Sequence, residues 1–507
     1  MPWICPTAPP SCLPGNRFFH PALKAALRAA FFCCFPAGFA ANQESIDKSS
    51  PRGENRATEN RNKEGSVVSL ASGRKKRFNK TEWSWILYDW ANSIYATNIM
   101  AAIFPILYSQ IAGKGTVGDH LYGYAVSFAN LLVAVLAPYL GAIADFRGMK
   151  KKLWFGFMIT GVVFTALMGI AGSWKLMLIG FVISRIGFSG SCMFYDSFLT
   201  DVTVPKKMDE VSTWGFAMGY IGGSTIPFLI SIAIMILMNQ SELSMRIAVL
   251  IVPVWWLVFS IPFMKNVHQV SYVDTPPKEL GKVAWKNTVG TFKSILRNKA
   301  ILFFLLAYFF YIDGVDTIIS MATKYGDTLG LGSIGMILAL VVTQVVAMPC
   351  SILFGKLSKK VGALKLITFS VLMYAFITII GFLMGYIVDF NESLGLTPEK
   401  AISISQILFW VLATLVGTVQ GGIQALSRSY FGQLIPPARS GEYFGFMDIF
   451  GKFACVIGPA LYELFYGITG KPCFGILSII LLFILGFTFL TAGRKHFRIA
   501  EHDEVAE

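Results

Sequence analysis

Apolar runs of about 20 residues follow one another from Trp85 to Leu490, and short polar segments separate them. A helix of that length crosses the hydrocarbon core of a bilayer, so each run predicts a membrane-spanning helix. Twelve spans are predicted, at about 84–111, 119–144, 152–173, 176–200, 212–238, 246–264, 300–323, 332–355, 364–388, 402–430, 441–467 and 473–492. The pattern therefore predicts an all-α membrane protein with twelve transmembrane helices.

The polar segment 265–299 is the one long interruption between the predicted spans. It carries Pro276-Pro277 and divides the spans six and six, so we interpret it as a cytoplasmic linker between two halves. The predicted organisation is a six-helix half at 81–264, the linker at 265–299, a second six-helix half at 300–493 and a cytoplasmic tail at 494–507.

Residues 1–80 differ from everything that follows them. Residues 42–80 are polar and have no periodicity, which predicts a disordered arm. The stretch Ala22–Ala41 is short, carries Lys24 and Arg28, and ends in small residues that resemble a signal-peptide cleavage site. An over-extended start is the alternative interpretation, and the next methionine, Met100, lies inside the first predicted span.

Composition and charge place the chain in a membrane and orient it there. Hydrophobic residues make up 54% of the chain and charged residues 14%, whereas soluble domains carry about 25% charged residues. The net charge is +14, but 26 Lys and Arg residues flank one set of span ends and six lie in the opposite loops. This asymmetry predicts that both termini are cytoplasmic. Because the positive charge follows the loops, we expect no nucleic-acid partner.

Cysteine and histidine usage argues against metal and redox chemistry. The eight cysteines show neither a CxxC pair nor a ligand spacing, and the five histidines all fall outside the apolar runs. A histidine proton relay inside the membrane is therefore excluded. We expect no cofactor, no metal and no covalent chemistry.

An internal repeat relates the two predicted halves. Sliding the chain by 232 residues aligns five features without a gap: Asp196-Ser197-Phe198 with Arg428-Ser429-Tyr430, Pro205 with Pro437, Glu210 with Glu442, Gly219 with Gly451, and Pro227 with Pro459. Two related halves of the same orientation are typical of transporters that rock about a central site.

The loop after span 2 has the residues of a known motif. Gly141, Asp145, Arg147 and Gly148, followed by lysines, resemble the G-x-x-x-D-R-x-G-R-R loop of the major facilitator superfamily, with Phe146 inserted before Arg147. Physically, Asp145 can face the N-terminus of a neighbouring helix, where the helix dipole favours an anion. An ordinary positively charged loop is the alternative.

Four further stretches narrow the resemblance. They are Tyr88-Asp89-Trp90-Ala91-Asn92-Ser93, the span 7 run from Tyr311 to Thr317, the span 10 run from Gly421 to Ser429, and Phe444-Gly445-Phe446-Met447-Asp448. Over about 80–495 the set resembles the "unknown major facilitator" group, which includes the autophagy-related vacuolar amino-acid effluxers of fungi. The resemblance implies a twelve-helix secondary transporter with amino-acid export as its activity. Short loops are more typical of a bacterial cytoplasmic membrane than of the fungal vacuole.

Charged residues inside spans are costly and usually functional. Arg185 on span 4 and Asp313 on span 7 lie near mid-membrane, on helices that line the cavity in the facilitator fold. We hypothesise that Arg185 binds a substrate carboxylate and that Asp313 binds an ammonium group or a coupling proton. A direct Arg185–Asp313 ion pair is the alternative.

A second charged group lies near the predicted cytoplasmic mouth. Asp196 and Arg428 are equivalent in the repeat, so we hypothesise that they meet there and form a gate. The candidate substrate-binding or coupling residues are Arg185, Asp313, Asp316, Gln420, Gln424, Asp89 and Asn92. The candidate gating residues are Asp196, Arg428, Asp145, Arg147, Asp448 and Lys452. For Gln420 and Gln424, helix packing is the alternative role.

These features together predict a secondary active transporter in the lipid bilayer. We expect a small polar solute, an amino acid by resemblance, a proton as the candidate coupling ion, and a monomer. The alternatives are a lipid or sugar carrier, a non-transporting membrane sensor, and an integral-membrane enzyme, which the lack of membrane histidines disfavours.

Overall fold

A computed structural model describes residues 77–113, 116–273 and 279–497, and 88% of these residues are helical. Twelve of its helical segments are long and apolar enough to cross a membrane, as predicted. The predicted N-terminal arm and signal-like stretch lie almost entirely outside the described residues, as does most of the tail at 494–507.

The twelve spans are numbered here in chain order. They are Lys80–Ala112, His120–Ala144, Met149–Ile170, Trp174–Val202, Pro205–Leu237, Glu242–Asn266, Lys299–Thr328, Leu338–Val361, Ala363–Asp389, Pro398–Leu434, Pro437–Thr469 and Pro472–Ala492. The helices of spans 2 and 8 begin earlier, at Val117 and Ser333. The predicted bounds of spans 5 and 10 were too short, because the helices continue into polar turns that give no apolar signal. Proline at the first helical position starts both of them.

Each set of six spans has its own hydrophobic core. The first half, spans 1–6, packs around buried aromatic side chains such as Trp85, Trp154 and Trp256. The second half, spans 7–12, has a core that runs from Ile295 to Phe497. The all-α fold with two six-helix halves is therefore confirmed.

Two spans contain a π-helical stretch in their interior. These are Tyr95–Ala102 in span 1 and Gly219–Thr225 in span 5. Span 5 lies against span 1 through glycines, because a Cβ at Gly219 or Gly223 would come within 2.8 or 2.6 Å of the Ser93 side chain. Such stretches occur often at functional sites of helical proteins.

The segment 265–299, predicted only as a polar linker, contains a helix at Leu280–Arg297. Val273, in the first part of this segment, pairs with the backbone of the loop after span 2. Its carbonyl accepts a hydrogen bond from the Arg147 N–H at 3.2 Å, and its N–H donates one to the Asp145 carbonyl at 2.8 Å. The linker therefore attaches to the loop after span 2. We call Leu280–Arg297 the linker helix.

The halves meet where their backbones approach closely. We call the bundle end that carries the loops after spans 2, 4, 6, 8 and 10 the inner face, since the sequence predicts it to be cytoplasmic. There, a Cβ at Gly141 of span 2 would lie 2.2 Å from the Gly441 carbonyl oxygen of span 11. On spans 5 and 8, the buried Ser351 donates to the Thr213 carbonyl at 3.3 Å. The inner face is closed in this conformation.

Substituting Gly141→Ala should open the inner face, because the obstructing atoms are backbone and cannot rotate away. We expect several-fold faster labelling of a reporter cysteine, Ser351→Cys, by a reagent applied from the inner side in a background without other cysteines. Gly156→Ala on span 3 is the matched control, since a Cβ there meets nothing within 4 Å. Equal labelling rates in both variants would contradict the contact's role in closure.

Candidate functional site

Arg428 of span 10 connects the second half to three spans of the first half. Its Nη1 donates to Asp196 Oδ1 at 2.8 Å and its Nη2 to Asp89 Oδ2 at 3.2 Å. Its Nε donates to Ser212 Oγ at 3.0 Å, and Nη2 also donates to the Ser212 carbonyl at 3.2 Å. Hydrogen bonds between a guanidinium and carboxylates are among the stronger ones in proteins. We call Arg428, Asp89, Asp196 and Ser212 the inner latch.

Aromatic rings surround the same guanidinium. Its central carbon lies 4.6 Å from the ring centroids of Trp85 and Phe216 and 5.3 Å from that of Tyr195. Trp85 is held in place because its Nε1 donates to the Tyr195 carbonyl at 3.0 Å. Removal of water strengthens both the ionic and the cation–π attraction. Arg428 is 5% exposed, whereas the side chain of its partner Asp196 is 35% exposed, so water is excluded from the guanidinium more than from the whole latch.

The structure thus brings together Asp196 and Arg428, the equivalent positions of the repeat. Their role as a gate stays a prediction. The sequence identified neither Ser212 nor the aromatic cage. Trp85 stands one helical turn before Asp89 of the Tyr88–Ser93 stretch, and this spacing was the available signal for one side of the cage.

Asp145 forms a second connection between the halves. Its carboxylate accepts hydrogen bonds from the Gly441 N–H at 2.7 Å and the Glu442 N–H at 2.9 Å, at the start of span 11. This is the helix N-terminus that the sequence argument expected it to face. Beside it, buried Lys150 donates to Asp201 at 2.8 Å and to Ser440 Oγ at 2.7 Å.

Burial raises the pKa of the Asp145 carboxyl to about 7, while Lys150 and the two backbone donors act in the opposite direction. Arg147, grouped with Asp145 by the sequence, points elsewhere. Its guanidinium lies 5.4 Å from the ring of Tyr272 in the linker. Its contact is with the linker rather than with span 11.

A third connection between the halves involves Glu210, which the sequence identified only as the repeat match of Glu442. Glu210, at the start of span 5, accepts from Arg77 Nε at 2.5 Å and also pairs with Lys359 at the end of span 8. Its repeat equivalent, Glu442 at the start of span 11, accepts from Thr291 of the linker helix. The two positions therefore keep a related bonding role in both halves.

The mid-membrane residues have separate environments. Arg185 Nε donates to Asn130 Oδ1 at 3.0 Å on span 2. Asp313 accepts from the Gly458 N–H on span 11, with both oxygens at 3.0 Å, and from Thr317 Oγ1 at 3.4 Å. The ion pairs of the described residues include none between Arg185 and Asp313, so this conformation does not display the direct pair, and the roles of both residues stay predictions. The two residues occupy different halves, and Asn130 and Gly458 are among their hydrogen-bond partners.

The contact with Asp313 depends on a glycine. A Cβ at Gly458 would lie 1.9 Å from Thr317 Oγ1 and 2.8 Å from Asp313 Oδ1. Pro459 follows directly and interrupts the hydrogen-bond ladder of span 11. Span 11 therefore offers a backbone donor to a side chain of span 7.

The remaining candidates divide between the cavity helices and span 11. Gln424 accepts from the Tyr220 hydroxyl at 3.3 Å, whereas Gln420 lines a pocket between spans 7, 8 and 10. Two polar residues that the sequence argument missed, Thr343 and Gln344, line the same pocket. Asn92 is buried beside the π-helical stretch of span 1, and Asp316 lies one turn from Asp313 on span 7. Asp448 forms an ion pair with Lys452 along span 11.

Comparison with known proteins shows which family and which relatives this chain resembles. Residues 120–207 and 200–494 match the family model described as "Vacuole effluxer Atg22 like". The chain is 42% identical over 427 residues to "Uncharacterized MFS-type transporter YxiO" of Bacillus subtilis (strain 168), with 82% of this chain and 95% of that protein covered. It is 27% identical to "Autophagy-related protein 22-2" of Aspergillus clavatus over 56% of this chain and 48% of that protein.

Solved structures share the fold at low identity. The proton:xylose symporter XylE has a TM-score of 0.57 and 12% identity, with 82% of this chain and 94% of that chain covered. A bacterial homologue of the iron transporter ferroportin in its outward-facing state has a TM-score of 0.56 and 14% identity, with coverages of 83% and 98%.

The fold and the paired halves define a transporter of the major facilitator type, a class of membrane carriers rather than enzymes. Within that class, the chain belongs to the Atg22-like family. The family resemblance predicted from the sequence is confirmed.

Replacing Arg428 should release the inner latch. In Arg428→Gln, Asp89 and Asp196 lose their shared cation and repel one another, so labelling of Ser351→Cys from the inner side should rise about tenfold or more. Arg428→Lys should give an intermediate rate, because lysine keeps the charge but loses the planar fork. The control is Lys324→Gln, which removes an exposed ion pair with Glu463. Wild-type labelling in Arg428→Gln would refute the latch.

Closure of the inner face should depend on pH through Asp145. A carboxyl with a pKa of about 7 when closed and about 4 when solvated binds protons more tightly in the closed conformation. Closure is therefore favoured at low pH and weakens as pH rises through about 7. Labelling of Ser351→Cys, normalised to the exposed position Lys360→Cys, should increase between pH 5 and 8. Asp145→Asn should flatten this profile, and an unchanged profile would assign it to another group.

Proposed function

We propose that the protein exports a small zwitterionic solute, an amino acid, by alternating access, with a proton as the coupling ion. The Atg22-like family membership supports efflux, because the matching family model is described as a vacuole effluxer. The closed inner face supports a carrier whose cavity is reached from the opposite side in this conformation. We further propose a monomer in a bacterial cytoplasmic membrane with both termini inside.

The observation that carries the proposal is the environment of Asp313. This carboxyl is fully buried in span 7, and among the described residues its partners are one backbone N–H and one hydroxyl. A buried carboxylate without a cation is costly, so it tends to take up a proton or a positively charged ligand. Asp313 is therefore suited to bind either a coupling proton or a substrate ammonium group.

Arg185 supplies the complementary chemistry on the opposite half. A guanidinium binds a carboxylate through a planar fork of donors, and Arg185 presents such a group beside Asn130, to which its Nε donates. One acidic and one basic group on facing halves match the two charges of an amino acid. Binding to both would draw the halves together, which is what alternating access requires.

Transport by purified protein in proteoliposomes tests the proposal. Accumulation of an amino acid from a labelled panel should follow an imposed pH gradient. Its amide, which lacks the carboxylate, and the matching acid, which lacks the amine, should each compete at least about tenfold more weakly. Uptake of lipids or sugars instead would favour the alternative carriers, and no uptake of any solute by folded protein would favour a sensor.

Asp313→Asn separates the two roles of Asp313. If the residue carries the coupling proton, the variant should lose gradient-driven accumulation but keep amino-acid exchange. If it binds the ammonium group, exchange should be lost as well. Asp327→Asn is the matched control, an exposed position at the outer end of the same span. Wild-type accumulation in Asp313→Asn would remove the residue from the site.

A further inference from the structure

The linker helix, Leu280–Arg297, has three distinct stripes. Its buried stripe faces the protein and consists of Ala284, Thr291 and Ile295. An exposed apolar stripe consists of Trp285, Val289, Phe292 and Leu296. A basic stripe consists of Lys282, Lys286, Lys293 and Arg297, and the helix contains no acidic residue.

The stripes lie side by side around the helix. Successive residues are about 100° apart, so the apolar stripe is roughly a quarter-turn beyond the buried stripe and the basic stripe roughly another quarter-turn beyond that. A helix attached to the protein by its first stripe thus presents an apolar edge and then a positive edge. Trp285, at 63% exposure, is the largest side chain on the apolar edge.

Contacts place the linker helix at the inner face, beside the ends of spans 2 and 11. Thr291 donates to Glu442, and Tyr443 donates to Ser294 at 3.3 Å. The Phe292 ring stacks on that of Phe446, with centroids 5.9 Å apart. These residues of span 11 lie in the first two turns of its helix, at the inner end of the span.

We propose that the linker helix lies in the membrane interface and binds anionic lipid headgroups. A contiguous apolar stripe with tryptophan, next to Lys and Arg side chains, is the composition of helices that lie on bilayers. A basic segment beside the membrane attracts anionic lipids, and aromatic side chains prefer the headgroup level. Lys282 also forms an exposed pair with Glu279 at 3.0 Å, so Lys286, Lys293 and Arg297 carry most of the attraction.

Lipid binding at this helix bears on the inner face. Thr291 binds the side chain of Glu442, and Asp145 binds the Glu442 N–H at 2.9 Å. A linker helix held in the interface by anionic lipid fixes the start of span 11 against span 2. Anionic lipid therefore favours the closed inner face, whatever solute is carried.

Depth measurement tests the interfacial position. In full-length protein without other cysteines, bimane attached at Trp285→Cys should be quenched by lipids that carry a spin label near the top of the acyl chain. The same probe at Lys360→Cys, an exposed site on the inner face, should be quenched much less. Equal quenching at the two sites would overturn the proposal. It would also be overturned if a soluble protein, rather than lipid, shielded the bimane at Trp285→Cys from the quencher.

Closure measured in two lipid mixtures tests the headgroup preference. Labelling of Ser351→Cys should be at least about threefold slower in vesicles of phosphatidylcholine with phosphatidylglycerol than in phosphatidylcholine alone. The triple variant Lys286→Gln, Lys293→Gln, Arg297→Gln should lose this difference. A triple variant of the exposed inner-face lysines, Lys356→Gln, Lys360→Gln, Lys365→Gln, should keep it.

Three results would overturn the headgroup preference. The first is equal labelling of Ser351→Cys in the two lipid mixtures for the protein without the triple substitutions, and the second is loss of the difference in both triple variants. The third is that inorganic phosphate, added to vesicles of phosphatidylcholine alone, slows the labelling as much as phosphatidylglycerol does. The readout needs no substrate, so it stands apart from the amino-acid proposal. Failed amino-acid uptake with an intact lipid effect would reject the function and keep this inference.

Discussion

The interaction on which this conformation depends is a buried guanidinium whose hydrogen-bond acceptors, among the described residues, all lie across the boundary between the halves. Arg428 belongs to the second half, and the acceptors of its hydrogen bonds belong to spans 1, 4 and 5 of the first. Separating the halves would leave a cation in a low-dielectric site without partners unless water entered at once. If Arg428 and Asp196 form the predicted gate, closure of the inner face and satisfaction of this charge would occur together.

Other contacts at the inner face have the same two-state character. The backbones of Gly141 and Gly441 touch only if neither carries a side chain, and Asp145 reaches the first N–H groups of span 11 only at that separation. Close-packed contacts of this kind are either made or broken, with little in between. Several of them in parallel turn small movements of the spans into a switch between closed and open.

The sequence predicted more of this arrangement than its apolar pattern alone would suggest. Twelve spans follow from run length, and the 232-residue repeat placed Asp196 opposite Arg428 because equivalent positions on related halves meet across a pseudo-two-fold axis. The aromatic cage was not predictable, since tryptophan and phenylalanine in a membrane span are expected everywhere. The linker helix was missed because a three-stripe helix is mixed in composition and reads as a polar loop.

The hydrogen-bond partners of Asp313 could not be predicted from the sequence, for a different reason. Its main donor is a backbone N–H on another span, and backbone groups leave no trace in a sequence pattern. Gly458 and Pro459 were the visible signs, and the repeat match of Pro459 with Pro227 drew attention to symmetry rather than to the N–H beside it. Side chains that bind side chains can be proposed from sequence, whereas side chains that bind backbone require the fold.

Span 11 unites these observations. Its first turn holds the amides bound by Asp145 and the Glu442 side chain bound by the linker helix, and Gly458 further along binds Asp313. Gly441 and Gly458 are 17 residues apart, about 25 Å along a helix. If span 11 moves as a stiff rod up to its proline, a change in the partner of Asp313 would displace the same element that contacts span 2 at the inner face. Under the proposed function, occupation of the mid-membrane site and the state of the inner face would therefore be linked through this one helix.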